Sequence, residues 1–106
     1  MIERPWGAYH TYAMNQPCTV KLLHVDLGER LSLQYHKHRE EMWIALHDGV
    51  LAEVNGETVS LDAYDEYIIP AGVTHRLYGY AQVLEVAFGP FDEDDIVRLE
   101  DDYGRD

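Results

Sequence analysis

A chain of 106 residues is long enough for one domain around a single hydrophobic core, so residues 1–106 are predicted to form one domain. Its 8 Lys and Arg against 20 Asp and Glu give a formal net charge of -12, which makes nucleic acids and anionic membranes poor partners. The single cysteine, Cys18, excludes an intramolecular disulfide, and no long apolar run marks a signal peptide or a membrane span. These features predict a cytoplasmic protein.

Short strands are predicted along most of the chain, because alternating apolar and polar residues are interrupted by turn signals at nearly every eighth to twelfth residue. The predicted strands cover residues 7–13, 19–25, 31–38, 41–46, 50–54, 58–61, 66–69, 75–78 and 83–88. Asn55-Gly56 between two of them is typical of a type I′ turn in a two-residue hairpin. From Asp92 the apolar period lengthens, and residues 92–100 are predicted to form a short helix with an acidic first turn. The sequence therefore predicts an all-β fold, a single small antiparallel β-barrel or jelly roll, with helix only in the C-terminal tail.

Three histidines and a carboxylate have the spacing of a metal site. His36 and His38 lie in an alternating stretch, so strand periodicity places both imidazoles on one face, about 6 to 7 Å apart along the chain. Glu41 follows a tight turn, and His75 follows Pro70-Ala-Gly72 on a later strand. The alternative is a pair of surface histidines on an edge strand. The convergence of ligands from three strands in a barrel mouth favours one bound divalent ion.

The sequence allows more than one ion and more than one carboxylate ligand. Nitrogen and oxygen ligands suit zinc, which we prefer, and also iron, manganese, nickel or copper. Glu40 competes with Glu41 for the carboxylate position, and Glu41 is preferred because it shares a strand face with Trp43, a side chain expected inside the barrel.

These motifs resemble those of the cupin family, whose first motif contains His-x-His and Glu and whose second contains Pro-x-Gly-x-x-His. The wider sequence is similar to type II mannose-6-phosphate isomerases, nearly from end to end. The stretches that carry this resemblance are Arg4-Pro-Trp-Gly-Ala-Tyr9, Leu31-Ser-Leu-Gln-Tyr-His-Lys-His-Arg39, His75-Arg-Leu77, Glu93-Asp-Asp-Ile-Val-Arg98 and Tyr103-Gly-Arg105. In that family the domain is commonly the carboxy-terminal part of a bifunctional mannose-1-phosphate guanylyltransferase, and this chain has no room for the nucleotidyltransferase part, so a stand-alone domain is expected.

The resemblance implies interconversion of mannose 6-phosphate and fructose 6-phosphate, with a metal ion stabilising the enediolate and a side chain moving the proton. Glu85 is the candidate proton carrier, with a solvent-facing carboxylate as the alternative. Arg39, which the family motif places after the second histidine, is a candidate catalytic and phosphate-binding residue. The alternative function is a non-catalytic metal-binding cupin that binds a sugar phosphate or nucleotide sugar, or scaffolds a partner synthase.

The basic residues are concentrated near the two metal motifs, so a locally positive mouth is expected within the acidic chain. The candidate substrate-binding residues are Arg39, Arg76, Lys37 and Gln34. Arg98 is instead expected to pair with the acidic tail around it. The expected ligand is a small-molecule sugar phosphate.

Departures from the family pattern include Tyr64 in place of a glycine, Gly79 in place of an asparagine, and Ala87 in place of a glutamine after Glu85. Ala87 removes a polar group from the expected site wall, which weakens the case for catalysis. The 8 tyrosines and 2 tryptophans exceed what one small core can bury, so a homodimer is also expected.

Overall fold

The computed structural model describes residues 1–89 and 92–104, which form antiparallel strands joined by turns and irregular segments. Arg105, one of the residues quoted for the resemblance, lies outside the described residues. The strands within these residues are β1 (Ile2–Arg4), β2 (Gly7–Tyr9), β3 (Cys18–Val25), β4 (Leu33–Tyr35), β5 (Glu41–Ala45), β6 (Val50–Val54), β7 (Glu57–Leu61), β8 (Glu66–Ile69), β9 (His75–Tyr78), β10 (Ala81–Phe88) and β11 (Val97–Glu100). The described residues form no helix, and hence none long and apolar enough to cross a membrane. The all-β prediction is confirmed.

Two sheets face each other and enclose the core. One has the strand order β3-β10-β5-β8, the other β11-β4-β9-β6-β7, and β1 and β2 form a separate hairpin. Because successive residues of a strand point to opposite faces, every second side chain of each sheet enters the space between the sheets. The buried core lies there and contains Val25, Trp43, Ala45, Val50, Ala52, Val54, Leu61, Ile69, Leu77, Ala81 and Val83.

The outer face of the four-stranded sheet is also apolar. Met42, Ile44 and Val86 are buried there, covered in part by Tyr12, Leu84 and Phe88. Val20 and Leu22 on the edge strand β3 remain more than half exposed on this face. The sheet thus buries apolar side chains on both sides, as a sheet does when its outer face is partly covered.

The β6–β7 hairpin forms as its sequence predicts. Val54 lies opposite Glu57, so Asn55 and Gly56 are the two turn residues. Both have positive φ, 51° and 79°, which is the requirement of a type I′ turn. Asparagine and glycine tolerate this left-handed backbone better than other residues, so this hairpin is specified locally.

The tail is where the sequence prediction of a helix is wrong. Residues 97–100 form the strand β11, which pairs with β4 through Val97 opposite Tyr35 and Arg98 opposite Gln34. The backbone hydrogen bonds that β4 offers along its open edge outweigh a weak local helical period. The N-terminal strand β1 was also not predicted, because its pairing with β2 leaves it exposed and without an apolar alternation.

Candidate functional site

Three side chains that can ligate a metal meet between the two sheets. His36 follows the last residue of β4, Glu41 begins β5, and His75 begins β9. One ligand atom from each of these buried residues lies within 4.8 Å of the others. The amide of Gly72, whose φ of 83° favours glycine, donates to the carbonyl of His36 at 2.7 Å and fixes the two histidine segments to each other.

Backbone carbonyls orient both imidazole rings. Nδ1 of His36 donates to the carbonyl of Asp95 at 2.6 Å, and Nδ1 of His75 donates to the carbonyl of Val73 at 2.9 Å. A neutral imidazole that donates through Nδ1 carries its lone pair on Nε2. Both Nε2 atoms face Oε1 of Glu41, at 2.9 Å for His36 and 3.4 Å for His75. Lone pairs that face a carboxylate in a buried site require a cation or a proton between them, so the donor set fits a divalent metal.

The same arrangement determines the pKa values of the group. Burial alone would raise the pKa of Glu41, but hydrogen bonds from His36, His75 and Glu85 outweigh burial and hold this pKa well below its usual range. Burial alone would lower the pKa of His36, but the hydrogen bond and the negative charge of Glu41 raise it. Glu41 is therefore an anion at neutral pH, as a metal ligand must be.

Arg39 lies against this group and is itself buried. Its Nε is 3.5 Å from Oε2 of Glu41, its Nη2 is 3.3 Å from Nε2 of His36, and its Nη1 donates to the carbonyl of Asp92 at 3.0 Å. The guanidinium therefore offsets part of the charge of Glu41.

Glu85 supplies a second buried carboxylate beside the first. It lies on β10 directly opposite Trp43 of β5, whose Nε1 donates to Oε2 of Glu85 at 3.1 Å. Burial, and then the negative charge of Glu41, raise the pKa of Glu85 to about 7. The inward orientation that we considered from strand parity is the one the structure has, and the solvent-facing alternative is wrong.

A cavity of about 520 Å³ opens beside this site. Its lining residues include Glu85 and Arg39, and also Lys21, Ser32, Gln34, Glu93, Asp94 and Arg98. Lys21 and Arg98 were not predicted as site residues. Lys21 could have been found from sequence, because it alternates with Leu23 and Val25 and therefore lies on the same inward face of β3. Arg98 could not, because its inward orientation depends on the tail forming the strand β11.

His38 and Lys37 are not brought to the metal-ligating group. β4 ends at Tyr35 and the chain bends at residues 37–38, so the strand alternation that was expected to align His36 with His38 stops before either residue. Both side chains are exposed, and their backbone amides donate to the carboxylate of Asp95 at 2.8 and 2.9 Å. The bend that Asp95 stabilises directs His36 inward and His38 outward.

The remaining predicted residues are divided between the two faces of the five-stranded sheet. Gln34 lines the cavity and accepts a hydrogen bond from Ser32 at 2.6 Å. Arg76 follows the inward-facing His75, so its side chain lies on the outer face, where it pairs with Glu100 at 2.7 Å and Glu53 at 3.8 Å. Arg76 therefore does not reach the cavity.

The carboxylate choice also has a clear geometry. Glu40 is exposed, and its backbone carbonyl accepts a hydrogen bond from Phe88 at 3.1 Å. Glu41 is 1% exposed and contacts both inward histidines. The structure thus brings Glu41, and not Glu40, into the group.

Residues 1–101 match the family described as "Mannose-6-phosphate isomerase C-terminal". The chain belongs to this family. Its members among curated proteins include xanthan biosynthesis protein XanB of Xanthomonas campestris pv. campestris, 44% identical over 110 residues, and mannose-1-phosphate guanylyltransferase ManC of Salmonella typhimurium, 38% identical over 109 residues. Each match covers 98% of this chain but only 23% of the relative, so the chain spans about a quarter of the length of these family members.

The names of these family members overturn one prediction. Relatives that cover nearly the whole chain are guanylyltransferases and polysaccharide biosynthesis proteins, among them alginate biosynthesis protein AlgA of Pseudomonas aeruginosa, 38% identical. The prediction that this chain is a mannose-6-phosphate isomerase is therefore wrong. The names of these relatives record guanylyltransferase activity and polysaccharide biosynthesis, and not isomerase activity alone. The coarser statement, that the family members are enzymes of mannose and polysaccharide metabolism, is shown.

Solved structures establish the fold class of this family member. Streptomyces PAC13 with uridine matches with a TM-score of 0.71 over 85% of this chain and 74% of that chain, at 16% identity. The capsular polysaccharide assembling protein CapF of Staphylococcus aureus matches with a TM-score of 0.68 over 82% of this chain and 28% of that chain, at 15% identity. The fold is thus that of the cupin-like β-barrels, as the motifs indicated.

Proposed function

We propose that this family member is a metal-dependent acid–base domain whose ligand is a phosphorylated or nucleotide-linked sugar of mannose metabolism. The observation that carries the proposal is the position of Glu85, a buried carboxylate that lines the cavity next to the metal-ligating group of His36, Glu41 and His75. The ligand class is supported by the relatives, whose names include a mannose-1-phosphate guanylyltransferase.

His36, His75 and Glu41 would hold the ion through two imidazole nitrogens and a carboxylate oxygen, and zinc is the preferred ion. When bound, a divalent ion polarises an oxygen of the ligand. The backbone carbonyls of Asp95 and Val73 keep both Nε2 atoms directed inward.

Glu85 is suited to hold or release a proton at the ligand. In the metal-free chain its pKa is about 7, so both protonation states are accessible near neutral pH, which suits general acid–base catalysis. The indole of Trp43 donates to Oε2 of Glu85 and holds this carboxyl group at the wall of the cavity. Arg39, whose Nε is 3.5 Å from Oε2 of Glu41, offsets part of the charge of this second carboxylate.

The test uses the zinc-loaded chain, with mannose 1-phosphate, mannose 6-phosphate and GDP-mannose as ligands, followed by proton NMR in deuterated water. Incorporation of deuterium or formation of a new species is expected with wild type and is expected to fall by about 100-fold or more in Glu85→Gln. Zinc content should stay unchanged, because Glu85 is outside the ligating group. Glu53→Gln on the outer sheet face is the matched control and should behave as wild type.

Two results would contradict the proposal. Turnover in Glu85→Gln equal to wild type would remove Glu85 from the chemistry. Binding of a sugar ligand without any Glu85-dependent change in the ligand would leave a binding domain in place of an acid–base domain.

A further inference from the structure

The cavity contains a cationic pair that the proposed function does not use. We propose that Arg98 and Lys21 together bind the anionic group of the ligand, at the end of the cavity away from the metal-ligating residues. This inference rests on the proposed function for the ligand class, and it adds the residues that select a phosphorylated ligand over a neutral sugar.

Arg98 has an unused hydrogen-bond donor inside the protein. Its Nε is buried and has no hydrogen-bond partner among the described residues, although the residue lines the cavity. A buried donor of a charged group that lacks an acceptor costs free energy, so the native ligand or solvent has to supply the acceptor. Among residues 1–89 and 92–104, no carboxylate forms an ion pair with Arg98, including the cavity residues Glu93 and Asp94.

Strand register places Arg98 on the same sheet face as the metal-ligating His75. Arg98 of β11 lies opposite Gln34 of β4, and Gln34 lies opposite His75 of β9. Residues directly opposite each other on neighbouring strands share a face, so all three side chains enter the interior. Two inter-strand spacings separate Arg98 from His75, which is about 10 Å of backbone. This separation suits a ligand whose reacting oxygen and anionic group are at different ends.

Lys21 approaches the same cavity from the other sheet. It lies on the edge strand β3 directly opposite Glu85 of β10, and it lines the cavity with Arg98. β3 and β11 are the edge strands of their sheets. The open side of the sandwich is therefore flanked by one cation from each sheet, in a chain whose net charge is -12.

Arg39 is the alternative anion-binding residue, and its contacts argue against that role. Its guanidinium already contacts Glu41, His36 and the carbonyl of Asp92. Moving it to a phosphate would leave the buried Glu41 without its nearby positive charge. Arg39 therefore belongs to the charge balance of Glu41, and Arg98, whose buried Nε has no hydrogen-bond partner among the described residues, is the better candidate for the anionic group.

The experiment compares affinities for mannose 6-phosphate, mannose 1-phosphate and mannose, measured by calorimetric titration of zinc-loaded protein. Wild type should prefer the phosphorylated sugars. Arg98→Met and Lys21→Met should each weaken binding of the phosphorylated sugars by about ten-fold to a hundred-fold, the usual value of a charge-assisted hydrogen bond. Affinity for mannose should not change. Lys37→Met, which removes an exposed lysine outside this cavity, is the matched control and should bind as wild type.

Each outcome separates this inference from the proposed function. If both methionine variants bind phosphorylated sugars as wild type does, the anion-binding pair is refuted while the metal and Glu85 roles stand. A wild type that binds mannose and its phosphates equally refutes the pair as well. Zinc content of the variants, expected to equal wild type, detects damage to the metal-ligating group, and Lys21→Met keeps the test decisive if Arg98→Met unfolds.

Discussion

Replacing His75 by phenylalanine separates metal binding from the stability of the fold. In wild type the rings of His75 and Trp43 meet edge to face, with their centroids 5.6 Å apart. The phenyl ring of the variant is expected to take the place of the imidazole beside Trp43. The imidazole hydrogen bond to the carbonyl of Val73 is lost, which costs about 0.5 to 1.5 kcal/mol. The metal-free variant should therefore unfold within about 1.5 kcal/mol of wild type.

The metal response should change far more. Zinc at about 100 times its dissociation constant stabilises a protein by about 2.7 kcal/mol, which raises Tm by roughly 10 to 20 °C in a domain of this size. Losing one of three ligands should weaken zinc binding by at least about 100-fold, since loss of an outer-shell partner alone costs about 10-fold to 100-fold. At the same zinc concentration the stabilisation then falls to about 0.4 kcal/mol, or about 2 to 3 °C.

The assay is differential scanning fluorimetry of both proteins with zinc and with EDTA. His24→Phe, the same substitution at an exposed histidine of β3, should retain the wild-type response and is the control. Equal zinc-induced shifts in wild type and His75→Phe would refute the assignment of His75. A variant that is already unfolded in EDTA would refute the calculated stability.

Four further predictions concern separate parts of the molecule. His38→Ala should leave zinc content and the zinc-induced Tm shift at wild-type values, since its side chain is outside the group; loss of zinc would contradict this. Leu77→Ala in the central strand β9 should lower the free energy of unfolding in urea by about 2 to 5 kcal/mol through a cavity in the core, whereas a loss below about 1 kcal/mol would contradict the assigned packing. We propose that a second copy covers the apolar outer face of the four-stranded sheet, so sedimentation should show a dimer in wild type and a monomer of 12.3 kDa in Leu22→Glu; a monomeric wild type would rule this out. In metal-free protein the pKa of Glu85 is raised from 4.5 to about 7, so wild type should lose stability relative to Glu85→Gln as pH rises from 4.5 through 7, and a pH-independent difference would argue against a buried, protonated Glu85.

The parts of the fold with local signals could be predicted from sequence. Residues 50–54, 66–69 and 75–78 were predicted with their exact bounds, because turn residues such as Asn55-Gly56 fix where these strands end. The tail could not be predicted in this way, since β11 exists only through its pairing with β4. The same dependence explains why Arg98 was expected to pair with the acidic tail. Its inward orientation follows from the pairing of β11 with β4, which no local pattern specifies.

In the candidate site, the correct choice of metal ligands depended on where strand β4 ends. His36 was predicted from the His-x-His spacing, Glu41 from the strand face it shares with Trp43, and His75 from the Pro70-Ala-Gly72 turn before it. His38 was included because alternation was continued past Tyr35, whereas the actual bend depends on the carboxylate of Asp95, 57 residues away in sequence. Tyr64, which departs from the family glycine, has a φ of 69°, so the turn keeps a left-handed backbone despite the substitution.

The two hydrogen bonds that orient the inward histidines have a consequence for how the site tolerates evolutionary change. Both acceptors are main-chain carbonyls, those of Asp95 and Val73. Every amino acid supplies this group, so substitutions at positions 73 and 95 can preserve the direction of the imidazoles. Insertions or deletions in the segments that carry these carbonyls would displace the acceptors themselves. Such positions would vary in residue type across homologues while the spacing around them stays fixed, a pattern that a search for invariant side chains would overlook.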